Sequence, residues 1–350
     1  MEQLNDLQTM LDQLDCPAFL AQNGQIAAIN IGAKQRMAEP GVKIEDLLLT
    51  GKDEYKSYTD GCLHVTLRLG AVEYACTITK LQAYELFSLE ETSISAELQA
   101  LALAASQLRM PLAELTLTVN KLQAQNHDHI SALNQSISRL QRIVGNMSDA
   151  STFASAVPRK ETQEMCGLFQ SVLEKAQTLL SHSGHHILYH LPEPPIYSLA
   201  DSDMLTRAVY NLLSNACKFA VPSNPIEVTL KKSGNKLYLT VCDNGQGVES
   251  NLRSTMFTRY KRQPGIEDPR HGLGLGMAMV HAAASTHGGT VLIQHTDQGT
   301  QTTMSLAIEK PSGSAVRSPV LRPDYYGGQD QALIELSEVL PKKLYNKKDF

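Results

Sequence analysis

The chain is 350 residues long, 42% hydrophobic and 19% charged, with 36 acidic against 31 basic side chains, six Cys and no Trp. This is globular composition, which excludes wholesale disorder, and at roughly 150 residues per domain it predicts two or three domains. A net charge of −5 without a long basic block gives no electrostatic case for nucleic acid as the main partner, and none is expected.

No run of about 18 apolar residues occurs, and the opening MEQLNDLQTMLDQLD has acids where a secretion signal needs a basic head. The expectation is a soluble, cytoplasmic protein with no membrane span. Cys16, Cys62, Cys76, Cys166, Cys217 and Cys242 are scattered without CxxC or CxxH spacing, which predicts free thiols rather than a disulfide framework or zinc site.

In chain order, the apolar run 18–21, the turn Asn23-Gly24 and the apolar run 26–31 predict a β-hairpin. Residues 64–69 and 72–78 flank Gly70-Ala71 and predict a second hairpin. Strand, Asn-Gly turn, strand and helix together resemble the opening of a PAS sensor domain, placed at residues 1–88. His64 and Cys62 read as structural residues of a strand, and no ligand is assigned to them.

From about Glu90 the period changes. Leu98, Leu101, Ala105, Leu108, Leu112, Leu115, Val119 and Leu122 follow alternating spacings of three and four, and Ile130, Leu133, Ile137, Leu140, Val144 and Met147 resume them after the polar stretch 123–128. Residues 89–157 therefore predict an antiparallel two-helix hairpin. Its apolar stripes exceed what one hairpin covers, which predicts a homodimeric four-helix bundle; the alternative is a long intramolecular hairpin packed on another domain, which leaves more apolar surface to hide. Pro111 predicts a kink in the first helix, because it clashes with the carbonyl of Gln107.

Residues 158–310 alternate helices with strands and predict an α/β sandwich with a largely antiparallel sheet. A helix over 201–220 is followed by strands at 226–230 and 236–242, a helix at 275–287, and strands at 290–295 and 302–308. Residues 311–350 read as a linker and a short amphipathic helix carrying Leu333, Leu336 and Leu340 and stopped by Pro341, which could dock on its own domain or on a partner, self-docking being the expectation.

Three elements carry chemistry. In NLLSNACKF, Asn211, Asn215 and Lys218 fall on one helix face opposite Leu212, Leu213, Ala216 and Phe219. In VCDNGQGV, Asp243 ends a strand, where its carboxylate can accept from an exocyclic amine, and Gly245 and Gly247 let a flat base approach the backbone. In HGLGLGMAMV, Gly272, Leu273, Gly274, Leu275 and Gly276 lead into a helix whose N-terminal amides suit phosphate oxygens. With Gly299-Thr300 near the last strand, this ordered set resembles the N, G1 and G2 boxes of the histidine-kinase ATP-binding (Bergerat-type, GHKL) domain. The preceding hairpin resembles that family's dimerisation and phosphoacceptor domain. A Rossmann reading fails for want of GxGxxG in a parallel βαβ unit.

The resemblance implies an α+β multidomain fold of PAS-like domain, dimeric helical hairpin and ATP-binding sandwich, with ATP and Mg²⁺ as cofactors. Asn215 would hold Mg²⁺, flanked by Asn211 and Lys218, an Asn oxygen being a hard, neutral ligand. Asp243 would read the adenine amine, Thr300 would lie beside it, and residues 257–271 would form a lid with Arg259, Tyr260 and Arg262 facing nucleotide. A response regulator or an intact histidine kinase is the implied partner.

The acceptor motif departs from the family. His, acid, Leu-Arg-x-Pro-Leu is replaced by Ser106-Gln107-Leu108-Arg109-Met110-Pro111-Leu112. A serine hydroxyl needs an activating base, which Gln107 cannot supply, and phosphoserine is a stable ester. The expectation is ATP binding with deficient autophosphorylation. The alternatives are an active protein kinase acting on Ser106 or on another protein, and a gyrase-type ATPase, which would have Glu where Asn211 stands. His127 and His129 are assigned to the hairpin's connecting loop, about thirty ångströms of helix from Ser106.

Overall fold

In the computed structural model, the described residues are 8–14, 16–36, 38–81, 83–91, 127–152, 158–221, 224–245, 275–296, 299–310 and 330–346, with isolated helical positions at 108, 112, 115, 116 and 119. Strands β1 (Ala18–Gln22) and β2 (Gln25–Ile29) form the first expected hairpin. Asn23 and Gly24 both take positive φ, 51° and 73°, the conformation a two-residue turn between right-twisted strands requires. Three short helices follow, α1 (Ile31–Gln35), α2 (Ile44–Leu47) and α3 (Lys52–Ser57), then β3 (Cys62–Leu69), β4 (Val72–Leu81) and β5 (Tyr84–Glu91). The second hairpin is present as β3–β4, whereas β5 was not read from sequence and carries strand structure past residue 88. Its alternation is blurred by Ser88 among Phe87, Leu86 and Leu89.

The helix α4 (His127–Thr152) corrects one expectation: His127 and His129 sit in its first turn, not in a loop. Then come β6 (Glu161–Glu164), α5 (Met165–Leu180), β7 (Ile187–His190), β8 (Tyr197–Ala200), α6 (Ser202–Phe219), β9 (Ile226–Ser233), β10 (Lys236–Cys242), α7 (Leu275–Thr286), β11 (Val291–Thr296) and β12 (Gly299–Ala307). The C-terminal segment adds α8 (Gln331–Glu335) and a 3₁₀ turn at Lys342–Tyr345. Its α-helix ends at Glu335 and so carries only Leu333 of the three expected leucines, Leu336 and Leu340 following it in turns, but all three are buried in its own chain.

One sheet runs through both halves of the molecule, in the order β2-β1-β5-β4-β3-β11-β12-β10-β9-β7, and β6 pairs with β8 apart from it. Among the described residues every strand pairing is antiparallel except β7 with β9. The sequence reading separated the N-terminal strands from the sandwich. They are instead joined where His64, Leu63 and Cys62 face Val291, Leu292 and Ile293. Glycine permits this approach: a Cβ on Gly61, at φ +96°, would lie 2.1 Å from the Ile293 carbonyl. Lys236 ties the same joint by pairing with Glu54 at 2.8 Å. Across it, the buried His64 ring meets the edge of His281 of α7 at 3.8 Å between centroids.

The main core lies between the sheet and α5, α6 and α7, with Phe169, Leu173, Leu205, Val209, Leu213, Val280, Leu239 and Met304 fully or nearly fully buried. Each such side chain contributes about 1.5–3 kcal/mol on burial. A second core, with Phe19 stacked on Phe87, fills the N-terminal half. None of the six cysteines forms a disulfide. Among the described residues no helix is long and apolar enough to cross a membrane.

Gly61→Ala is expected to open the β3–β11 joint, since both the positive φ and the Ile293 carbonyl oppose a side chain, at a cost on the order of 2 kcal/mol. Amide hydrogen exchange should rise at 62–64 and 291–293 while β9 and β10 stay protected. Unchanged exchange at the joint would contradict this.

Candidate functional site

The site is built on α6. Asp201 caps its N-terminus by accepting from the Met204 amide at 3.1 Å. The Asp201 amide in turn donates to His287 Nε2 at 3.0 Å, and His287 Nδ1 lies 2.7 Å from the Ala283 carbonyl. His287 is thus a neutral imidazole with its proton on Nδ1, pinning the end of α7 to the start of α6. Burial depresses its pKa below the ordinary value, and the Ala283 carbonyl only partly offsets this.

Asn211 and Lys218 lie where the helical spacing puts them, on the face away from the sheet, with Asn215 between them and partly buried. This face is largely covered by other parts of the chain. Asn211 is fully buried, its Oδ1 accepts from Arg142 Nη2 of α4 at 3.1 Å, and its Nδ2 donates to the Arg207 carbonyl at 3.0 Å. Gly276 borders it, and a Cβ there would come within 2.9 Å of Asn211 Oδ1. Lys218 pairs with Glu338 of the C-terminal segment, which also pairs with Arg142 Nη1 at 2.9 Å. Arg207 Nε donates to the fully buried Glu335 at 2.9 Å, and Arg142 lies 3.6 Å from the same carboxylate. Burial pushes the Lys218 ammonium down despite Glu338. Burial also opposes ionisation of Glu338, but Arg142 and Lys218 hold its carboxyl below the usual range.

At the end of β10, Asp243 is buried. Its Oδ1 accepts from the amides of Gly245 at 3.0 Å and Thr300 at 3.1 Å, and its own amide donates to the Thr300 carbonyl. The structure therefore brings Asp243, Gly245 and Thr300 together. Two glycines make this possible: a Cβ on Gly245 would meet the Phe219 carbonyl at 2.3 Å, and one on Gly299, at φ +127°, the Asp243 carbonyl at 2.1 Å. Leu275 and Gly276 open α7. Ser106, Gln107, Gly247, Arg259, Tyr260, Arg262, Gly272, Leu273 and Gly274 lie outside the described residues.

Residues 200–310 match the family model described as "Histidine kinase-, DNA gyrase B-, and HSP90-like ATPase". The chain is 30% identical over 152 residues to the sensor histidine kinase YvrG of Bacillus subtilis, covering 43% of this chain and 26% of YvrG. Over this region the chain is similar to sensor histidine kinases. Sensor protein KdpD of Escherichia coli is 29% identical over 208 residues, covering 57% of this chain and 23% of KdpD. Hybrid signal transduction histidine kinase D of Dictyostelium discoideum is 34% identical over 114 residues, covering 31% and 7%. The chain thus spans about a quarter or less of these three relatives. Among solved structures, full-length ShkA in complex with AMPPNP shares the fold, with a TM-score of 0.51 at 23% identity, covering 61% of this chain and 47% of ShkA.

Sequence reasoning missed Arg142, Arg207, Glu335 and Glu338. Arg207 was within reach, because it stands one turn before Asn211 on the same face. The others come from distant segments, and only their polar character among leucines marked them.

His287 gives a pH prediction. Its folded pKa is depressed, so below the ordinary value of 6.5 the unfolded chain binds more protons and stability falls as pH drops through that range. Chemical denaturation between pH 7.5 and 5 should show this decline, and His287→Gln should flatten it. An equally steep decline in the variant would refute the assignment.

Proposed function

We propose that this protein is a histidine-kinase-like signal-transduction protein that binds Mg-ATP on α6 and the β10 end, and that its degenerate acceptor motif leaves autophosphorylation deficient. The observation that carries the binding reading is Asp243. A buried carboxylate whose Oδ1 is already anchored by two backbone amides is a preorganised acceptor for an exocyclic amine. The bare glycine at 276, beside the Asn211 carboxamide, leaves room at the polar stripe that a side chain would fill. The residues present therefore fit an adenine nucleotide. Asn215 would hold Mg²⁺, while Lys218 and Asn211 would face phosphate oxygens.

When bound, the nucleotide supplies a transferable phosphoryl group. What this chain adds is orientation, because Asp243 fixes the base end and α6 the charged end. Ser106 lacks both the nucleophilicity of imidazole and an adjacent base, so no efficient acceptor stands at the family's position. Phosphorylation of Ser106 or of another protein is the second reading, and the third, a gyrase-type ATPase, lacks a general base at Asn211.

The helical hairpin supports a homodimer. Ile130, Ile137 and Val144 of α4 are buried against Val119 and Leu112, whereas Leu108, Leu115, Leu133 and Leu140 remain 46–50% exposed. Among the described seam positions, Leu112, Val119, Ile130, Ile137 and Val144 are satisfied within the chain, and a second copy would cover the exposed leucines. A PAS-like role for the N-terminal sheet and its three helices, a cytoplasmic location, and signalling to a response regulator or an intact kinase complete the proposal.

Two measurements test it. Titration with Mg-AMPPNP should give saturable binding that Asp243→Asn weakens by roughly 10- to 100-fold, as expected when a buried acceptor of about 1–3 kcal/mol becomes a donor. The Asn variant keeps an oxygen for the Gly245 and Thr300 amides, so unchanged affinity would remove Asp243 from the adenine site. Incubation with γ-labelled ATP should yield no acid-labile, base-stable label on the wild type, and Ser106→His with Gln107→Glu should gain it. Such label on the wild type would overturn the deficient-acceptor reading.

A further inference from the structure

The stripe on α6 that faces the proposed phosphates is covered by carboxylates of the same chain. Glu338 pairs with both Lys218 and Arg142, and Glu335 with Arg207 and Arg142. In this group of five side chains, three cations meet two acids beside Asn211, whose carboxamide oxygen is itself taken up by Arg142. A carboxylate set between an ammonium and a guanidinium occupies those donors as a phosphate oxygen pair would.

The segment that carries these acids is held from α4 through its backbone. Asn134 Nδ2 donates to the Tyr345 carbonyl at 3.0 Å, Gln135 Nε2 to the Leu340 carbonyl at 2.7 Å and Arg139 Nε to the Ser337 carbonyl at 3.2 Å. It is therefore a docked element in a defined register, aimed at α6. Its two acids differ in access. The Glu335 side chain is 0% exposed and the Glu338 side chain 27%, so an entering anion can challenge Glu338 first.

We propose that residues 330–346 are a built-in acidic competitor of nucleotide phosphates, in which Glu338 holds Lys218 and Arg142 until a Mg-nucleotide displaces it. The proposal rests on the nucleotide-binding reading above and adds its regulation. Arg142 then has two alternative anionic partners, the carboxylate of the C-terminal segment and the phosphate chain, and α4 of the hairpin senses which one is present.

The test uses the full chain and Mg-AMPPNP. If docking leaves about a tenth of molecules competent, Glu338→Gln tightens the apparent dissociation constant by about 10-fold, because that constant scales inversely with the competent fraction. Gln keeps the size of the side chain and removes only its charge. Affinity that is unchanged or weaker in a folded Glu338→Gln protein overturns the proposal. Hydrogen exchange on the wild type decides the matter if the variant does not fold: nucleotide should raise exchange at 331–345, and no rise overturns competition. The two readings fail differently. Absence of binding in both wild type and Glu338→Gln removes the nucleotide site itself, whereas equal binding in both removes only the competition.

Discussion

The polar stripe of α6 is largely withdrawn from water, with Arg207 and Asn211 buried and Asn215 and Lys218 partly so, and that single constraint organises its surroundings. The opposite face must seal the sheet with Leu205, Val209, Leu212 and Leu213, so the helix cannot turn its amides and cations outward without losing that core. Each buried polar group then needs a partner, since an unmatched one costs about 1–3 kcal/mol and an unmatched charge more. Arg142 of α4 serves Asn211, Glu335 serves Arg207, and Glu338 serves Lys218. Two segments distant in sequence are thereby drawn onto one helix.

Charged partners are a poor choice if stability alone is at stake. A buried ion pair is often no better than apolar side chains of the same volume, while removing one member costs about 3–5 kcal/mol. The C-terminal segment already has apolar anchors in Leu333, Leu336, Leu340 and Tyr345. Its acids therefore add specificity of docking more than strength, and they make the docked arrangement sensitive to any competing anion.

Much of the site was legible because it depends on local spacing. Asn211, Asn215 and Lys218 share a face by helical period alone, and Asp243 with Gly245 reads as a strand end in any context. Thr300 could be added only through the resemblance, and the structure supplies the reason, two backbone contacts between neighbouring strands. The β3–β11 joint was not legible. It depends on Gly61 and Gly51, which no periodicity or motif singles out, although Cβ atoms there would strike Ile293 and Thr290. The tertiary partners of α6 were hidden for the same reason, since pairing across more than a hundred residues leaves no periodicity. His127 and His129 were misplaced because polar residues in a first helical turn resemble a loop when only hydrophobic spacing is followed.

The joint and the α6 stripe meet at α7. Its first turn places Gly276 against Asn211, its middle sets His281 on the ring of His64, and His287 beyond its end accepts from the Asp201 amide that begins α6. Three contacts on or just past one short helix thus link the N-terminal strands to the start and the middle of α6. A close-packed interior transmits displacement rather than absorbing it. A shift of β3 would therefore move His281, and α7 could follow only by changing its distance from Asn211 or by releasing Asp201. The first would alter the room beside the polar stripe and the second would free the amide that precedes α6, so the packing of α7 sets both features together.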